Sequence, residues 1–279
     1  MNEIIHGYYV ESGKIAARVR EEAISRVKED VQLLEIAEFA ENRIRELGAK
    51  PAFPCNISIN EIASHYTPED ELPRFKEGDV VKIDIGAHVE GYIADTAATI
   101  EIGTSNHRRL ILACEEALEN AIAVVKDNVQ TRTIGKIIES TIKKYGFNPV
   151  RDLTGHSLEQ YKLHSGITIP NYGSLASQKI TKDMVFAIEP FATYGRGSIK
   201  YGRPHIYALN GKRNAKTYPE IQDRFSTLPF TPRWIPGINI EYLKGLHEYL
   251  EIIEADNEIV AQSEHTVIVC EEGCEIITK

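Results

Sequence analysis

The 279-residue sequence carries 32 basic and 41 acidic residues, a formal net charge of −9, with 42% hydrophobic and 26% charged residues. That size and balance fit one large globular domain, and the acidity argues against a protein that coats nucleic acid, where phosphates must be met by positive charge. No run approaches the roughly 20 apolar residues of a membrane span; the opening MNEIIHGYYVESGK lacks the basic-then-apolar order of a signal peptide; and Cys55, Cys114, Cys270 and Cys274 are too few and too scattered for a disulfide scaffold. Reduced thiols and a cytoplasmic location are therefore expected.

Two helical patterns open the chain. Ile15, Val19, Ile24 and Val27 recur at helical spacing, and Leu34, Ala37, Ala40, Ile44 and Leu47 repeat it until Gly48 ends it. From Pro51 the texture turns to short β-type runs, clearest in VVKIDIGAHV (80–89) and YIADTAATIEI (92–102), with a Glu90-Gly91 turn signal between them. Residues 107–126 and 133–145 are rich in Ala, Leu, Ile, Glu and Lys without internal Pro, which predicts two more helices, the second ending at Gly146. Extended segments are expected near 150–169 and 184–194. Between 208 and 258, Ile240, Leu243, Leu246, Leu250 and Ile253 share one face of a helix, so an inserted helical subdomain is predicted there. HTVIVCEEGCEIIT (265–278) reads as two strands around an acidic turn containing Gly273. Helices and hairpins alternate without regular βαβ units, which favours an α+β fold over a doubly wound parallel sheet.

The chemistry concentrates in acidic residues set inside apolar runs. Asp84 lies between Ile83 and Ile85, and Asp95 stands in IADTA on the next strand. An unpaired carboxylate in a buried strand costs several kcal/mol, about 2 or more, unless its pKa shifts. A hairpin centred between residues 89 and 90 pairs the two directly, with Cβ atoms roughly 5 Å apart. Two anions so close need a cation, a shared proton or a basic partner. The plainer alternative, one Asp in turn hydrogen bonds and the other in solvent, fits poorly with the surrounding Val, Ile and Ala.

Further donors end later extended segments. In LTGHSLEQYKLHSG, Gly155 permits close backbone approach beside His156, and His164 follows eight residues on; either imidazole is a candidate ligand or a structural hydrogen-bonding group. Glu189 precedes Pro190, which disfavours α backbone at Glu189, so its carboxylate is expected to project from an extended rim. Glu264 heads the last apolar strand, a place equally open to a surface residue. Four carboxylates and one imidazole carry a formal charge that two divalent cations neutralise. Mn, Fe, Co and Zn all accept such oxygen-rich ligation, and two of them acidify a shared water for attack on a carbonyl.

The order Asp, Asp, His, Glu, Glu, carried by FPCNISINEIASHYTP, KIDIGAHVEGYIADT, GHSLEQYKLHSGITIP, AIEPF and EHTV, closely resembles the type 2 methionine aminopeptidases of the pita-bread fold. The resemblance runs from about Tyr8 to the end, and the 208–258 segment with FSTLPFTPRWI is similar to the insertion, winged-helix-like, that separates type 2 from type 1 enzymes. The short N-terminus resembles archaeal members. The resemblance implies two divalent metal ions held by Asp84, Asp95, His156, Glu189 and Glu264. It implies that His65 sits beside the scissile amide and is the residue alkylated by fumagillin-type inhibitors. It also implies that His164 stabilises the tetrahedral intermediate and Glu189 shuttles the proton. Phe53 and Leu163 match walls of the methionine pocket, and His205 a further pocket histidine. Thr154 departs from the family, where several members carry Asn before Gly-His. The implied activity is removal of the initiator methionine from nascent polypeptides with a small second residue, by a monomer working in proximity to the ribosome.

Prolidases and aminopeptidase P share the ligand set but carry a long N-terminal domain, for which the residues before Pro51 leave no room. A non-catalytic pita-bread module binding RNA or protein is the alternative from another class; such proteins lose ligands. Residues 208–258 hold six basic and eight acidic side chains, which disfavours phosphate recognition. Cys270-x3-Cys274 lacks the second ligand pair of a structural zinc site, so free thiols are expected.

Overall fold

The computed structural model describes the whole chain apart from the side chains of residues 212–214. Two helices open it, α1 (Glu3–Ile24) and α2 (Leu33–Glu46). The first starts twelve residues before Ile15, the first residue of the predicted pattern, because Asn2 caps it: the Asn2 side chain accepts a hydrogen bond from the Ile5 amide. Three short strands follow, β1 (Lys50–Pro51), β2 (Asn56–Ile59) and β3 (Ile62–Ser64), and then the long hairpin β4 (Val80–Val89) and β5 (Tyr92–Glu101). The odd residues of β4, Val81, Ile83, Ile85 and Ala87, pack with Val19, Ile36 and Ala40 of the helix pair in one core cluster. The even residues, Asp84 among them, face the other way.

A second helix pair, α3 (Arg108–Ala123) and α4 (Thr131–Lys144), covers a second sheet in the same manner. After β6 (Asn148–Pro149) come β7 (Thr154–Leu158), β8 (Thr168–Pro170), β9 (Val185–Ile188), β10 (Phe191–Thr193) and β11 (Ile199–Ala208). The chain then forms α5 (Gly211–Thr217) and α6 (Pro219–Phe225), returns as β12 (His247–Glu254), and ends in β13 (Val260–Gln262), β14 (His265–Val269) and β15 (Cys274–Ile276). Strands β15, β14, β9, β7 and β8 lie in that order in a five-stranded sheet. Its Phe186, Ile188 and Val267 share a core with Leu110, Ile134 and Ile138 of the helices. Threonine side chains stitch the two halves together: Thr266 Oγ1 donates to the Asp95 carbonyl at 2.7 Å and accepts from its amide at 2.8 Å. Thr99 and Gln262 repeat the exchange at 2.6 and 2.8 Å.

Two expectations are corrected. The hairpin is centred one residue later than predicted: Glu90 and Gly91 both have positive φ, 51° and 85°, which closes a two-residue turn, so Val89 faces Tyr92. Asp84 therefore faces Ala97 and Asp95 faces Gly86. The two carboxylates are diagonal rather than direct partners, still on one face because the slip is an even number of residues. The helix expected on Ile240, Leu243, Leu246, Leu250 and Ile253 does not form. Gly245 sits at φ 76°, and from His247 the chain is strand β12, antiparallel to β11. The segment that departs from this sheet and returns to it is thus 209–246, shorter than 208–258. Leu209, Ile221 and Phe230 form a small core there with Trp234, Ile240, Leu243 and Leu246.

Candidate metal centre

Asp84 and Asp95 come from the hairpin, His156 from β7 of the five-stranded sheet, and Glu189 and Glu264 from the residues just after β9 and just before β14. His156 pairs with Ala187, and Ala187 with Thr266, so His156 and Glu189 lie diagonally on neighbouring strands. Extending the β14–β9 register by one step sets Glu264 opposite Glu189. Gly155 makes this sheet possible in an ordinary backbone conformation: a Cβ there would sit 2.5 Å from the Ala187 carbonyl oxygen.

The five side chains meet in the interior. Asp84, Asp95, His156 and Glu264 are between 1% and 8% exposed, and the Glu189 side chain is 12% exposed. Glu264 is therefore no surface residue, and Glu189 is tucked in rather than standing on a rim. One donor atom each from Asp95, His156 and Glu264 lies within 4.8 Å of the other two. His156 Nε2 stands 3.7 Å from Asp95 Oδ2 and 3.4 Å from Glu189 Oε1. Asp84 Oδ1, Asp95 Oδ1 and Glu264 Oε2 are buried without any hydrogen-bond partner.

Burial, then mutual repulsion, drives the carboxylates upward. Asp95 rises well above the usual range through desolvation and the neighbouring Asp84 and Glu189 charges. Glu264 rises through desolvation and Asp95, and Glu189 through desolvation and Asp84. Burial pushes Asp84 up as well. His156 is held neutral, its pKa depressed first by burial and then by His164. Unpartnered oxygens and a neutral imidazole around one point are what a hard or borderline divalent cation completes, so the donor set fits such a metal.

Residues 8–271 match the model of metallopeptidase family M24. The chain belongs to metallopeptidase family M24. It is 45% identical to the methionine aminopeptidase of Methanocaldococcus jannaschii, over 99% of each chain, and 43% identical to that of Archaeoglobus fulgidus, over 100% of each. Its fold is that of the Thermotoga maritima methionine aminopeptidase crystal structure, with a TM-score of 0.79 at 24% identity, covering 100% of this chain and 98% of the other. This M24 chain thus has the pita-bread fold, in the α+β class. As a metallopeptidase it uses divalent metal, and no helix among the described residues is long and apolar enough to cross a membrane.

A cavity of about 50 Å³ opens onto the acidic cluster, lined by Phe53, His65, Leu163 and His164 as well as all five acidic-site residues. It has room for a water or two at the cluster itself. Asn56, Ser64, Ile206, Pro229 and Tyr249 also line it. None of these stands out in the sequence, because apolar wall residues read as ordinary core; only Asn56, facing Asp84 from β2, follows from strand pairing. His205 is not a wall residue. It is buried with Nδ1 3.0 Å from Glu69 Oε1 and its ring edge-on to Tyr66, and its neighbour Ile206 lines the cavity instead. Thr154 is half-buried on β7, one residue before Gly155. All four cysteines are free thiols.

The hairpin leaves no room behind Phe53. A Cβ on Gly86 would fall 2.2 Å from its Cε1 atom. Gly86→Ala is expected to push the ring into the cavity and lower kcat/KM on a Met-Ala-Ser peptide about tenfold through KM, with bound metal unchanged. Unaltered steady-state kinetics would show that the ring has another way out.

Proposed function

We propose that this chain removes N-terminal methionine from polypeptides whose second residue is small, by hydrolysis at a dinuclear metal site held by Asp84, Asp95, His156, Glu189 and Glu264. The family and the near-full-length relatives make it a metal-dependent methionyl aminopeptidase, a hydrolase acting on polypeptide N-termini. The observation that supports two metals is the buried set of four carboxylates and one neutral imidazole with no basic side chain among them. Two divalent cations balance it; Co, Mn, Fe or Zn suits the donors.

When bound, the metals supply Lewis acidity toward the scissile carbonyl and a readily deprotonated water. The surrounding side chains do the rest. Glu189 lies beside His156 Nε2 and can take the water proton and pass it to the leaving amine. His164, exposed and stacked edge-on over His156 at 4.4 Å, is placed to donate toward an oxyanion outside the cluster. His65 Nδ1 stands 3.2 Å from the Leu250 carbonyl oxygen, and burial with the neighbouring His164 lowers its pKa to about 4. The carbonyl fixes the proton on Nδ1, leaving Nε2 as an acceptor for an amide N–H and as a nucleophile toward a spiroepoxide. Phe53 and Leu163, with Ile206, Pro229 and Tyr249, form the wall that takes the methionine side chain. We further propose that it acts as a monomer in the cytoplasm, near the ribosome where nascent N-termini emerge.

Metal analysis alongside Met-Ala-Ser hydrolysis tests the reading. Activity that saturates at two divalent ions per chain supports it, and full activity in chelator sinks it. His65→Ala is expected to keep bound metal, lose about 10²-fold or more in turnover and become insensitive to fumagillin-type spiroepoxides. Metal loss in that variant, or unchanged turnover, removes His65 from this role.

A further inference from the structure

Glu41, on α2, is 2% exposed and lies outside the metal centre. Its carboxylate accepts four hydrogen bonds: Arg233 Nη1 and Trp234 Nε1 to Oε2 at 2.7 and 2.6 Å, Arg233 Nη2 and the Cys55 amide to Oε1 at 2.8 and 3.1 Å. Arg233 reaches further, with Nη2 donating to Thr67 Oγ1 and Nε to the Pro68 carbonyl, both at 3.1 Å. The rings of Phe225 and Trp234 stack at 5.8 Å beside this group.

The bonds reach segments that adjoin the cavity wall, at the Cys55 amide, the Pro68 carbonyl and the Thr67 hydroxyl. Cys55 stands between Phe53 and Asn56; Thr67 and Pro68 follow Ser64 and His65; Arg233 and Trp234 follow Pro229. Three wall segments, distant in sequence, are thus tied to one carboxylate on a helix. His65 gives this a reason, since it sits at φ 63°, a left-handed conformation uncommon for a non-glycine residue, two residues before Thr67. A buried Arg–Glu pair is often no more stabilising than apolar side chains of the same volume. What such side chains do not replace is the direction of bonds to three segments at once.

We propose that Glu41 and Arg233 are positioning residues that set the width of the side-chain pocket and the seat of His65, and so decide which N-terminal side chains the enzyme accepts. The proposal rests on the methionine-pocket reading. It is tested with Arg233→Lys, which keeps the charge and loses the forked geometry, and Thr67→Val, which removes one acceptor and leaves the bonds to Glu41. Met-, norleucine- and Leu-Ala-Ser peptides are hydrolysed by the metal-loaded proteins, and bound metal is counted. Emission of Trp234, the single tryptophan, reports whether the cluster stays buried.

For Arg233→Lys, KM on the Met peptide is expected to rise about tenfold with kcat within about threefold, and the preference for Met over Leu to fall about fivefold. Thr67→Val should move both in the same direction by less, with metal content unchanged. If Arg233→Lys does not fold, Thr67→Val decides. KM and selectivity unchanged in the folded variants, or a loss confined to kcat that follows metal loss, overturns the proposal. A wild-type protein that does not cleave the Met peptide overturns the pocket reading itself, which separates the two failures.

Discussion

Asp95→Asn is expected to lower Met-Ala-Ser hydrolysis by about 10³-fold or more, since a ligand is removed from the point where the donor atoms converge. The metal-free protein should respond in the opposite sense. Asp95 is held above its ordinary pKa by burial and by the Asp84 and Glu189 charges, so ionising it in the folded chain is costly. A carboxyl whose pKa is raised on folding contributes stability that is complete below the ordinary carboxylate range and is lost as pH rises through the elevated value. The chelated wild type should therefore melt lower at pH 8 than at pH 6, and chelated Asp95→Asn should lose less over that interval. Added divalent metal should restore the wild type at pH 8 by mass action and the variant much less. Thermal melts in chelator at both pH values, with activity at saturating metal, check both halves. Full activity of the variant, or an apo wild type that gains stability with rising pH, would falsify the ligand assignment.

The second large effect separates reaction type from substrate choice. A metal centre with an acidified water can hydrolyse many amides, so on the proposed reading the choice of methionine comes from the wall. Burying that side chain against Phe53, Leu163 and their neighbours contributes roughly 1.5 to 3 kcal/mol, about a tenfold to hundredfold preference when expressed in the transition state. Norleucine, of similar shape, should be cleaved within about tenfold of methionine. An N-terminal Lys or Asp brings a charge against apolar side chains and should be cleaved about 10³-fold more slowly. N-acetylation removes the free amine of an aminopeptidase substrate and should abolish cleavage. Rates on the four peptides at matched metal loading decide: comparable Lys and Met rates sink the pocket, and cleavage of the acetylated peptide sinks the aminopeptidase reading.

The parts of the fold legible in the sequence are those fixed by local pattern. The runs 80–89 and 92–101 are the hairpin strands because Val and Ile alternate and Glu90-Gly91 ends each. The acidic constellation was legible because Asp84, Asp95 and Glu189 stand where apolar neighbours forbid a solvated charge. Long-range partners were not. Leu243, Leu246, Leu250 and Ile253 keep helical spacing, yet β11 offers strand partners from Ile199 to Ala208, and tertiary pairing outweighs a periodicity interrupted at Gly245. Tyr249 and Pro229 become wall residues only when that sheet and the loop before Arg233 are brought beside Phe53, which no local signal announces.

The Glu90-Gly91 turn makes the site sensitive to counting rather than to chemistry. With Val89 facing Tyr92, every residue of β5 has its face assigned by parity from this corner. One inserted residue there would rotate Asp95 toward the helix pair and bring Thr96 inward, so that each donor would survive in the sequence while the donor set dissolved. Two inserted residues would return Asp95 to its face but carry it roughly 7 Å along the strand, beyond the spacing of the donor atoms. A library of turn insertions should accordingly keep activity only where the added residues loop out and leave Val89 facing Tyr92, and lose it at odd and even lengths alike where the register shifts.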